Sequence, residues 1–168
     1  MNLAQSKREY TEKSLSVFSK YLSIHTGFIH YCYEDERSRD TIPVFENLCY
    51  CLSLFRTSLV DNILLGREIL AQIMRYQDAD GNFPIYLHQF PKTFNVNRVM
   101  YPLYLLVKHF SKIIPQKLFD QLNHRLVLPQ IPQSISNSRD AGYVALNYLC
   151  RDQSIQALKH LWDYDKNI

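Results

Sequence analysis

The sequence predicts an all-α protein of about seven helices in antiparallel hairpins, with two short extended segments, over a single domain spanning residues 1–168. Three observations carry this prediction. Apolar residues recur at three- and four-residue spacing through most of the chain, the pattern of helices with a buried face. The breaks between those runs hold turn-forming Pro, Gly, Asn or Asp, which lets successive helices fold back on one another. Hydrophobic residues make up 46% of the chain and charged residues 21%. That balance builds a core in a chain of this length and excludes a disordered one.

The first helix is expected from Ser6 to Ile24, where Tyr10, Leu15, Phe18, Tyr21 and Leu22 recur near helical spacing. The connection from His25 to Phe45 is irregular. Within it, Phe28 to Tyr33 is aromatic and β-favouring, and Glu34 to Arg37 reads as an exposed turn. A second helix, Glu46 to Thr57, should bury Leu48, Cys51, Leu52 and Phe55. Ser58 is the expected N-cap of a third, Leu59 to Gln77, with Asp61 in its acidic first turn.

Projected at 100° per residue, Asp61, Glu68, Gln72 and Arg75 of this third helix form a narrow polar stripe. Leu59, Val60, Ile63, Leu65, Ile69, Leu70, Ile73, Met74 and Tyr76 cover most of the remaining girth. A helix apolar over so wide an arc is predicted to be surrounded by others. The extended segment Phe83 to Pro91 follows, bounded by Pro84 and Pro91. A fourth helix, Val96 to Ile113, should bury Val99, Met100, Leu103 and Leu106 and expose Arg98, Lys108, His109 and Lys112. Pro102 predicts a kink there, or a start near Tyr101. Shorter helices are expected over Pro115 to Leu126, Asp140 to Cys150 and Gln153 to Asp163. Helix starts near Glu46, Val96 and Asp140 recur at about 40–50 residues, the spacing of helical-hairpin repeats.

Charge and composition narrow the function classes. The net charge of +3 is spread without a Lys/Arg cluster, so a solvated face outweighs a nucleic-acid site and no nucleic-acid partner is expected. Residues 1–14 are polar, with no leader-like apolar run, and no stretch is long enough for a membrane span. Cys32, Cys49, Cys51 and Cys150 form no C-x-x-C pair, and on a helix Cys49 and Cys51 point about 200° apart. They read as small core residues of a soluble, cytoplasmic protein, with no metal and no cofactor. Twelve Tyr and nine Phe should lie at the core edge or line a groove, because a tyrosine hydroxyl needs a partner.

After the third helix the chain reads Gln77-Asp78-Ala79-Asp80-Gly81-Asn82-Phe83. With Arg67 upstream, this resembles the QW-type repeat of terpene cyclases and the Q-x-x-D-G-x-aromatic turn of prenyltransferase β subunits, with Phe83 where the cyclase repeat has Trp. The resemblance implies an α/α toroid, a ring of helical hairpins. It gives Gln77, Gly81 and Phe83 structural roles: Gln77 bonding the end of a neighbouring helix, Gly81 allowing a left-handed turn, and Phe83 plugging the gap between hairpins. A complete ring needs more helices than this sequence offers. The expectation is therefore a partial toroid, a truncated relative or a short open array, with unpaired end faces that favour self-association.

The chemistry-bearing residues are few. Asp78, Asp80 and Asn82 stand at i, i+2 and i+4 like the opening of a calcium loop. The Gly at the sixth position and Glu at the twelfth are missing, so they read as a turn. Tyr86 and His88 share one side of the extended segment Phe83 to Pro91. In a toroid enzyme such a pair could abstract a proton alpha to a carboxylate, with Arg98 neutralising the charge. The simpler alternative is a hydrogen bond across a hairpin end. His30 and Tyr31 lie in the other extended segment, and would join Tyr86 and His88 at one mouth if the two segments ran side by side. Nucleophile motifs, a P-loop and paired acids are missing from the sequence. The expected function is a non-enzymatic protein- or ligand-binding module with a concave, Tyr-rich surface, serving a protein partner or self-association. The alternative is a toroid-fold enzyme, or its remnant, acting on a carbohydrate or polyprenyl substrate.

Overall fold

The structure is a computed structural model and describes residues 3–30, 41–94, 97–127 and 138–150. Six α-helices form among them: α1 (Leu3–Ser19), α2 (Val44–Arg56), α3 (Val60–Ile73), α4 (Asn97–Phe110), α5 (Gln116–Val127) and α6 (Ser138–Cys150). Two 3-10 turns, Met74–Tyr76 and Leu87–Gln89, complete the helical structure. No strand forms among the described residues, and the extended pieces meet only in isolated bridges. The protein is all-α, as its periodicity predicts. The expected helix Gln153 to Asp163 lies outside the described residues.

The surrounded helix is α2. Along it Val44, Asn47, Leu48, Tyr50, Cys51, Leu52, Ser53, Leu54 and Phe55 are all buried, and α1, α3 and α4 pack around it. Its first turn is stabilised from outside, because the Val44 amide donates to the Ile85 carbonyl at 3.1 Å. Its two most polar interior positions are satisfied locally. Asn47 donates to the Pro43 and Ile29 carbonyls at 2.7 and 2.9 Å and accepts from the Ile29 amide at 2.8 Å. Ser53 donates back to the Cys49 carbonyl at 3.0 Å. Groups bonded this way are tolerated in a core.

The prediction of α3 as the encircled helix is corrected. Its C-terminal half is buried through Gly66, Ile69, Leu70 and Ile73, continuing into Met74. Its N-terminal half is not covered: Leu59 is 61% exposed, Val60 71% and Leu64 54%. The expected cap is corrected as well. Ser58 adopts a left-handed φ of 59° and caps nothing. Leu59 is the N-cap residue and no side chain caps the helix; Thr57 orders the corner before it, accepting from the Leu59 amide at 3.2 Å and from Asn62 Nδ2 at 3.1 Å while donating to the Leu54 carbonyl.

Helix α1 stops at Ser19, short of the expected Ile24, because Lys20 and Tyr21 bond back to Val17 and Phe18 in a tighter turn. The chain then doubles back, and Leu22 bridges Ile29. Helix α4 starts at Asn97 and runs through Pro102, which lacks the amide that would bond one turn back. Val99, Met100, Leu103 and Leu106 are buried, as expected. The carbonyl of Ile113, beyond its end, accepts from Arg67 Nε, tying α3 to the corner before α5. On the other side of α4, α6 packs with buried Ala141, Val144 and Ala145.

Candidate functional site

Two places gather the residues singled out by the sequence, and a third holds a cleft. The first is the turn after α3. Gly81 is left-handed, with φ 76°, and Phe83 is fully buried. Gln77 differs: its Nε2 donates to the Gly81 carbonyl of its own turn at 3.3 Å. Asp78 organises the rest. Its carboxylate accepts from the Asn82 amide at 2.8 Å, from Asn82 Nδ2 at 3.4 Å and from the Thr93 hydroxyl. Burial pushes this carboxyl up, but the bonds from Thr93 and Asn82 outweigh it and leave its pKa below the ordinary aspartate value. With its oxygens so engaged, Asp78 is a turn-former.

The second place is the N-terminal end of α2. Segments 28–30 and 85–87 both arrive there, but they do not pair with each other. Phe28 and His30 bond the Ser23–Tyr21 backbone, while Ile85 and Leu87 bond Val44 and Ile42. Asn47 and Pro43 stand between them, Asn47 holding Ile29 and Pro43 bridging Tyr86. Tyr86 and His88 do share a side, with rings stacked at 5.8 Å and 5° between planes. Arg98 lies over the Phe45 ring at 5.5 Å. His30 Nε2 is 2.9 Å from the Thr26 hydroxyl within its own turn. Tyr31 lies outside the described residues. The stacked pair is thus assembled, while Arg98 and His30 have structural partners of their own.

The third place is one the sequence did not single out. Helix α1, the α2–α3 corner and the end of α4 enclose an open cleft of about 1030 Å³. Tyr10 and Leu15 stand on the α1 wall, Thr57, Leu59 and Asn62 on the corner, and His109 and Phe110 at the α4 end. Lys7, Arg8 and Arg56 place three cations on its walls against the single carboxylate of Glu12. Glu12 is already paired with Arg8 at 2.8 Å, and Lys7 and Arg56 have no ion-pair partner among the described residues. The hydroxyls of Thr11 and Ser14 bond back to the α1 carbonyls of Lys7 and Tyr10. What the cleft offers a visitor is therefore apolar surface, aromatic edges and positive charge.

The cleft exists because α1 touches the rest of the chain along one seam. Leu15 and Phe18 of its inner side pack on the core, Phe18 against Tyr50 at 5.5 Å, and Leu22 beyond its end joins them. Tyr10, 69% exposed, lies next to that seam.

No protein-family model, no curated protein and no solved structure matches this chain. Among the described residues no group of three or more His, Cys, Asp or Glu converges on a metal-sized site, and no helix is long and apolar enough to cross a membrane.

Proposed function

We propose that this chain is a binding module: a short array of helical hairpins that takes an amphipathic helical segment of a protein partner into the cleft between α1 and the α2–α3 corner. The observation that carries the reading is the cleft's composition. Its walls combine exposed apolar side chains, Tyr10 and Leu59, with Lys7 and Arg56, which lack ion-pair partners among the described residues. A groove of this character suits an apolar helix face flanked by carboxylates. The reading includes a cytoplasmic setting, supported by the free thiols of Cys49 and Cys51 on α2, and kinship with a partial α/α toroid, supported by Gly81 and Phe83.

Selection of helical peptides against the immobilised chain tests it. Enriched peptides should be amphipathic and acidic, and should lose binding to Leu59→Asp while keeping it to His88→Ala. Peptides that bind Leu59→Asp as well as the parent chain would dismiss the cleft as the recognition surface. A second reading, a toroid-fold enzyme on a carbohydrate or polyprenyl substrate, draws on the stacked Tyr86–His88 pair. It requires turnover that His88→Ala abolishes.

A further inference from the structure

We infer that the segment filling this cleft is the N-terminal half of α3 from a second copy of the chain, so that the protein forms a two-fold symmetric dimer. The inference rests on the binding reading above and names its partner. The first half of α3 is an amphipathic helix of the required kind. Val60 and Leu64 stand four residues apart on one side, with Asp61 beside Val60, and Glu68 continues that side one turn on, in the second half of the helix. All four are exposed, and neither acid has an ion-pair partner among the described residues. The surface is thus apolar and acidic on α3 and apolar and basic on the cleft walls.

Leu59 belongs to both, as a wall residue of the cleft and the residue preceding α3. A patch whose halves carry opposite charge around a shared apolar centre is self-complementary under a two-fold rotation. The operation that brings Asp61 and Glu68 toward Lys7 and Arg56 of the other copy also brings the reverse pair together. Each copy then buries Leu59, Val60 and Leu64. Charge complementarity is the reason to prefer a second copy over an unrelated apolar partner, because a partner without carboxylates would leave Lys7 and Arg56 uncompensated at a dry interface.

Sedimentation of the full chain, followed by charge reversal and mixing, tests the inference. The parent chain should sediment as a dimer that weakens with added salt. Asp61→Lys with Glu68→Lys should weaken self-association by about a hundredfold, and so should Lys7→Glu with Arg56→Glu, since each juxtaposes like charges. All four positions are on the surface, and unchanged circular dichroism checks that each variant folds. Equimolar mixing of the two reversed proteins should restore a heterodimer. A parent chain monomeric at every concentration, or reversed proteins that fail to combine, would overturn the dimer. If such a monomer still bound selected acidic peptides through Leu59, the binding reading would stand and only the identity of the partner would fall. Loss of both would reject the cleft itself.

Discussion

Asn47 is the most consequential single residue outside the cleft. It is fully buried, and its amide saturates both backbone groups of Ile29 and the carbonyl of Pro43. One side chain thereby fixes where the irregular connection re-enters the core and where α2 begins. Replacement by leucine keeps the size and leaves the Pro43 carbonyl its bond from the backbone amide of residue 47 at 3.3 Å, but it strands the amide and carbonyl of Ile29, each worth about 1–3 kcal/mol when left unsatisfied. We expect Asn47→Leu to lower stability in urea by at least about 2 kcal/mol; a near-neutral result would mean that water reaches those groups. Asp78 supports a pH prediction of the opposite character. Its folded pKa lies below the ordinary aspartate value because Thr93 and Asn82 donate to the charged form. The stability it contributes is therefore complete above the unfolded value, about 3.9, and is lost as pH falls through the lower folded pKa. Asp78→Asn should flatten that acid limb in pH-dependent melts, and an unchanged limb would remove Asp78 from the account.

At the scale of elements, the close approach of α2 and α3 depends on Gly66. A Cβ placed there would lie 2.6 Å from Cε1 of Phe55. Phe55 is buried and in ring contact with Phe110 at 5.6 Å, so it has little room to turn aside. Alanine gains about 1 kcal/mol of helix propensity over glycine, whereas overpacking a dense core costs about 1–3 kcal/mol. The clash should win, and Gly66→Ala should lower the thermal midpoint; a raised midpoint would show that the helices can part without loss. Gly66 also marks where legibility ends. The positions of the described helices could be read from apolar spacing, because burial of one face is a local pattern. Which helix is central could not. Asn47 and Ser53 look like solvent-facing positions, and only contacts with Ile29 and Pro43, distant in sequence or outside the helix, reveal that Asn47 is buried and satisfied. The loss of the expected Ser58 cap is a smaller case of the same kind, decided by a left-handed backbone at Ser58 that sequence alone does not announce. The cleft was illegible for a further reason: it lies between three elements, and its shape depends on how far α1 stands off the corner.

For the whole molecule, the issue is what covers α3. Its girth is apolar enough to be interior, yet one half of it faces water, so within a single chain the burial expected from sequence is realised around α2 instead. Equal deletions at the two helices should separate the cases. Leu48 is fully buried on α2, and Leu48→Ala should cost about 2–5 kcal/mol at any protein concentration. Leu64, 54% exposed, has little packing to lose in the monomer, so Leu64→Ala in dilute solution should stay within about 0.5 kcal/mol. In a dimer that buries Leu64, its deletion acts through association, and association raises the midpoint as concentration rises. The melting temperature of the parent chain should therefore climb with concentration, that of Leu64→Ala should climb much less, and Leu48→Ala should be displaced downward by a constant amount. Parallel curves for the parent chain and Leu64→Ala would mean that this half of α3 stays in water, leaving its apolar residues without a role in assembly.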